Sequence, residues 1–212
     1  MGMLDFIFKN RNTSSKKETE EQPEIVIPEV KEEYKGPETI AETNYSTMIK
    51  EKNGVFERLE FKIAGTSFHQ PAIKKAIKEA KEHSFYFDEK YNGMSNKEIL
   101  EETFDEPIFE FEGAPFTDCS LKLEPDNKYD PEAIAVYVGS FLVGYIPEKD
   151  FSEGKKYIYG QLTGGLKENQ ELNPSASLRG GKYKINRGDE KVEIGESDYK
   201  LDGYVTIKTN LE

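Results

Sequence analysis

The chain has 212 residues, 35% hydrophobic and 33% charged, with a mean hydropathy of -0.75. That gives room for one sizeable domain plus a solvated tail, and twelve Tyr with thirteen Phe can build a core without Trp. A net charge of -12 repels nucleic acid at long range, which excludes non-specific coating of DNA and leaves only a local basic patch or a shaped pocket.

Cys119 is the only cysteine, so an intrachain disulfide is excluded and a reducing, cytoplasmic setting is expected. His69 and His83 are the only histidines and neither stands at ligand spacing. Structural zinc and a Cys-His or Ser-His-Asp site are therefore unsupported, and no metal or cofactor is expected. Both histidines read as helix-flank or surface residues.

The opening run MGMLDFIFKNRN is short and interrupted by Asp5, too little for a signal peptide or a membrane span. Phe6 stands where a myristoylation pattern needs Ser or Thr. The run reads as an amphipathic start that packs, frays or docks on a partner. From about Asn12 to Thr47 the chain is rich in Glu, Lys and Pro, and Pro23, Pro28 and Pro37 block a continuous helix. This is expected to be a flexible acidic arm, either solvated or laying its apolar patch IVIPEV on a sheet edge or a protein partner.

Strand patterns begin near Val55. In RLEFKIAG, Leu59, Phe61 and Ile63 alternate with Glu60 and Lys62, and Gly65 ends the run. Helices follow over about 71–83 and 95–103. The first carries Ile73, Ala76, Ile77 and Ala80 at helical spacing behind Pro71, and the second opens on a Ser95–Glu98 capping box before Ile99 and Leu100. PIFEFEG, CSLKLEP, AIAVYV and FLVGYIP then read as strands, the last two joined by Gly139-Ser140 as a two-residue hairpin. KKYIYGQL, KYKI, KVEI and GYVTIKT are further strand candidates. The pattern predicts a mainly β, α+β fold: a small barrel with inserted helices.

Between two strand runs lies EPDNKYDPEAI, residues 124–134. Asp126 and Asn127 favour an Asx turn that Pro131 stiffens, and Asp130 can cap that turn. Alternatively the turn presents Tyr129 and Asp130 to a ligand. Glu124, Asp126 and Asp130 also form a carboxylate cluster able in principle to bind Mg²⁺, but their spacing matches no nuclease motif and no catalytic Lys or His accompanies them. The chain is therefore not expected to be an enzyme. A second candidate segment is basic: from Lys155 to Lys191 eight basic residues face four acidic ones. Arg179, Lys182, Lys184 and Arg187, with Tyr183 interleaved, suit either a single-strand groove or a lysine-protected sheet edge.

The order FKIAGTSF, LKLEPDNKYDPEAIAVYV, FLVGYIPEKD resembles the HIRAN domain. The likeness rests on Glu124, Pro125, Asn127, Tyr129, Asp130, Ala133, Ile134, Val136, Val143, Gly144, Tyr145, Ile146 and Pro147. It covers about residues 56–150, with 151–210 as looser barrel completion of a domain spanning 55–212 after an arm of 1–54. The two helices between Phe68 and Cys119 depart from helicase-fused members, and the chain looks more like the stand-alone HIRAN-type proteins of low-GC Gram-positive bacteria and their phages. The resemblance implies an OB-like, modified β-barrel that grips the 3′ end of single-stranded DNA in repair, replication or phage DNA processing. It assigns stacking to Tyr129 and Phe68 and hydroxyl binding to Asp130, with Tyr145 in the same site. Ser67 stands where the family carries a base-contacting arginine. The alternative is a non-enzymatic adaptor that has lost DNA binding and recruits a protein.

Overall fold

The computed structural model describes residues 36–188 and 190–211. The apolar start, the first part of the acidic arm and the IVIPEV patch, with the docking roles considered for them, lie outside the described residues.

The fold is mainly β. Alternation in the strands turns one set of side chains inward: Leu59, Phe61 and Ile63 are buried, whereas Glu60 and Lys62 are exposed. One antiparallel sheet runs in the order β1 (Glu38–Glu42), β2 (Ser46–Glu51), β3 (Gly54–Lys62), β10 (Lys200–Asn210), β8 (Gln170–Ile185), β4 (Ile108–Phe116), and β9 (Glu193–Glu196) pairs with β8. A second sheet holds β5 (Cys119–Glu124), β6 (Ala133–Val138) and β7 (Phe141–Tyr145). Ala64 and Tyr145 join the two by exchanging backbone hydrogen bonds of 2.9 and 3.0 Å.

The expected closed barrel is not formed among the described residues. Among these residues β1 pairs only with β2 and is exposed at every position, so their large sheet ends at β1 instead of meeting the small one. The strands β1 and β2 also correct the arm: a stretch expected to be linker up to residue 54 is sheet from Glu38 onward.

The helices follow the sequence closely. α1 (Gln70–Ala80) buries Ile73, Ala76 and Ile77. α2 (Asn96–Glu102) opens on the expected capping box, with Ser95 accepting from the Glu98 amide at 3.3 Å and Glu98 accepting from the Ser95 amide at 2.7 Å. One element is corrected. KKYIYGQL, expected as a strand, belongs to α3 (Ser152–Gly160) and the turn beyond it. Its Tyr-Ile-Tyr run has strand composition, yet Phe151, Lys155 and Ile158 are buried at spacings of four and three, a helical stripe.

Candidate functional site

The loop between β5 and β6 is built by its own short polar side chains. The Asn127 amide donates to the Glu124 carbonyl at 3.0 Å, Asn127 Nδ2 donates to Glu124 Oε2 at 3.0 Å, and Asn127 Oδ1 accepts from the Tyr129 amide at 3.0 Å. Asp130 Oδ1 accepts from the Glu132 amide at 2.9 Å. Asx turns of this kind fix backbone direction without burying anything. Here they leave Tyr129 97% exposed.

Phe68 ends the 3₁₀ turn Thr66–Phe68 that follows β3, and it is 87% exposed. Two aromatic rings this open are unusual for residues that normally drive burial. Phe68, Tyr129, Asp130 and Tyr145 line one groove of about 450 Å³. Residues from three separate stretches of sequence therefore meet there. The half-buried Tyr145 donates its hydroxyl to Glu124 Oε2 at 3.2 Å, which ties β7 to the start of the loop. Burial, then the Glu124 carboxylate, raise the Tyr145 pKa above the ordinary phenol value.

Four further residues line the groove that sequence reasoning did not select: His69, Asn127, Lys128 and Ala133. His69 stands at the N-cap of α1, the flank position expected for it, with its ring 6.1 Å from that of Tyr145. Lys128 had a visible signal, as the only basic residue in the loop and the neighbour of Tyr129. It is exposed and takes part in no ion pair among the described residues. Ser67 is exposed beside Phe68 but does not line the groove.

Asp130 has a partner that the sequence did not reveal. Its Oδ2 accepts from Lys155 Nζ at 2.5 Å, and Lys155 also reaches Glu148 Oε2 at 3.0 Å. The lysine side chain is only 3% exposed. Burial alone lowers a lysine pKa, but hydrogen bonds and charge from Asp130 and Glu148 outweigh it, so the ammonium is held above the ordinary lysine value. Lys155 therefore belongs to the interior and adds nothing to a surface basic patch.

The basic segment does not reach this groove. Arg179, Lys182, Tyr183, Lys184 and Arg187 are absent from its lining. Nor is the segment a sheet edge: Arg179 is paired with Lys200 and Glu112, and Lys184 with Ile108 and Ile194, so β8 is interior there. Its charges are answered locally. Arg179 Nε lies 3.2 Å from Asp202, Arg187 pairs with Asp105 and Glu193, Lys184 lies 4.1 Å from the centre of the Tyr91 ring, and Lys182 stands opposite Glu196. Tyr183 packs its ring edge-on to Phe109 at 5.7 Å and covers Gly195.

Two of the three carboxylates considered for Mg²⁺ are engaged, Glu124 by Asn127 and Tyr145 and Asp130 by Lys155, while Asp126 is exposed. Among the described residues no group of three His, Cys, Asp or Glu side chains is placed to hold a metal ion, and no helix is long and apolar enough to cross a membrane. Compared with family models, with curated proteins and with solved structures, the chain finds no match.

Proposed function

We propose that this chain is a nucleic-acid-binding module whose groove between Phe68 and Tyr129 takes the 3′-hydroxyl end of a single strand of DNA. The observation that carries the proposal is the pair of aromatic rings, 87% and 97% exposed, lining one groove with a carboxylate and a lysine. Flat exposed rings stack on bases of any sequence. Asp130 offers an acceptor to a terminal hydroxyl, and Lys128 offers a cation to the backbone phosphate. A continuing strand has no hydroxyl to donate at that position.

The OB-like description of the fold goes with the same proposal, supported by the Ala64–Tyr145 bridge that brings the small sheet against the large one. So do a non-catalytic role and a cytoplasmic setting in DNA repair, replication or phage-related DNA processing. The test is fluorescence anisotropy with short single strands bearing a 3′-hydroxyl, a 3′-phosphate, or only accessible 5′ ends. Tightest binding of the 3′-hydroxyl strand is expected. Equal affinity for all, or none for any, defeats it.

A second reading, a protein-interaction module, has its own observation. An apolar cleft of about 330 Å³ lies beside Phe85 and Tyr86, which are 72% and 53% exposed and have ring centroids 4.1 Å apart. Exposed apolar surface of this kind is a common mark of protein contact.

A further inference from the structure

An aspartate that reads a strand end by charge alone should stand free, and Asp130 does not. Both its oxygens are held, Oδ1 by the Glu132 amide at 2.9 Å and Oδ2 by Lys155 Nζ at 2.5 Å. Each carboxylate oxygen keeps a second lone pair, so a hydroxyl can still donate to it. The three charged groups are also layered. The side chains of Glu148 and Asp130 are 60% and 38% exposed, while that of Lys155 between them is 3% exposed. A ligand in the groove meets the carboxylate, and the ammonium lies behind it.

The lysine is anchored independently of the loop. Its amide donates to the Phe151 carbonyl at 2.9 Å at the start of α3. Phe151 packs on Phe61 of β3 with ring centroids 5.1 Å apart, and a methyl group on Gly154 would stand 2.3 Å from the Phe151 ring. The helix start is thus pinned to the core. A buried ammonium is tolerable only when paired, so its two carboxylate partners are drawn to it and not the reverse.

We propose that Lys155 is the specificity-determining positioning residue of the groove: it fixes the Asp130 carboxylate and offsets its charge, so that strand ends are told apart by the hydrogen bond to a hydroxyl and only weakly by charge. This rests on the strand-end reading above and deepens it. A bare carboxylate repels a terminal phosphate strongly in a partly dry site, whereas one in contact with an ammonium, even an ammonium shared with Glu148, repels it less. A terminal phosphate lacks the hydroxyl donor and is still disfavoured, but only modestly.

The experiment compares one short oligothymidylate carrying a 3′-hydroxyl, a 3′-hydrogen or a 3′-phosphate, on wild type, Lys155→Met and Lys155→Arg. In wild type, the hydroxyl end should bind best, and the hydroxyl-to-phosphate ratio should change little with added salt. Lys155→Met should raise that ratio by about tenfold, mainly by losing affinity for the phosphate end, and Lys155→Arg should restore it. A folded Lys155→Met protein with an unchanged ratio overturns the role given to Lys155 while leaving end binding intact. Should the methionine variant fail to fold, the wild-type salt series decides: a ratio that collapses as salt rises means Asp130 acts as a bare charge. A wild type that binds none of the three strands defeats the strand-end reading itself, and this proposal with it.

Discussion

Gly144 lies so close to Ala64 that a methyl group on its α-carbon would stand 2.4 Å from the Ala64 carbonyl oxygen and 2.6 Å from Ile63 Cγ2. The close approach is what lets Tyr145 reach the end of β3 and exchange two backbone hydrogen bonds with Ala64. Gly144→Ala must therefore separate the two sheets or distort both. It should destabilise the domain by about 1–3 kcal/mol, the usual range for forcing atoms into packed space. Urea unfolding measures it, and a midpoint within error of wild type would show that the bridge adapts.

Alkaline pH should destabilise the fold through its half-buried tyrosines. Burial, then the Glu110 and Glu196 carboxylates, push the Tyr199 phenol up from 10.0 to about 12. A raised folded-state value means the native state holds the proton more tightly than the unfolded chain. The associated stability is complete below pH 10 and is lost as pH rises towards 12. Tyr199→Phe removes the titrating group and should flatten the fall in thermal midpoint across that window. An equally steep fall in the variant would assign it to other groups.

Strand binding should depend on Lys128 and not on the basic segment of β8. Arg179, Lys184 and Arg187 already have local partners, and none of the segment's basic residues lines the groove. Replacing Arg179, Lys182, Lys184 and Arg187 with Ser should leave the salt dependence of binding unchanged. Lys128→Ser should lower the slope of log K against log salt by about one. The opposite pattern would return the nucleic-acid path to β8.

What the sequence made legible follows from how local each signal is. The groove's Tyr129 and Asp130 are adjacent in the chain, and the Asn and Asp that turn the loop act over two or three residues, so both are legible in the order of residues alone. The Ser95–Glu98 capping box is local in the same way. Lys155 is the contrary case. Its partner in the loop, Asp130, lies 25 residues away, its segment has the composition of a strand, and a buried lysine runs against the ordinary preference of that side chain for solvent. The basic segment was visible as composition, but the acids that answer it come from distant residues such as Asp105 and Asp202, which only pairing in space reveals. β1 escaped because an edge strand exposed at all five positions carries no apolar alternation to read. The first half of β8 escaped because Asn173-Pro174-Ser175 has turn chemistry. Pro174 is accommodated where β8 pairs with β10 but has not yet begun its ladder with β4 at Ala176.

The two exposed rings provide the most direct separation of binding from folding. Phe68 and Tyr129 are 87% and 97% exposed, so truncating either removes almost no buried apolar area. Phe68→Ala and Tyr129→Ala should each leave the unfolding free energy within about 0.5 kcal/mol of wild type, as surface substitutions do. If bases stack on these rings, each variant should weaken single-strand binding by about 1–3 kcal/mol, for hydroxyl and phosphate ends alike, because stacking acts on the base and ignores the terminus. Asp130→Ala should behave differently. It removes the hydroxyl acceptor and leaves the ammonium of Lys155 paired with Glu148 alone, so the preference for a hydroxyl end should vanish or pass to the phosphate end. Anisotropy titrations of the three variants against both ends, run beside their urea melts, read all of this at once. Stable Phe68 and Tyr129 variants with undiminished affinity would remove the groove as the binding site and turn attention to the apolar cleft at Phe85 and Tyr86.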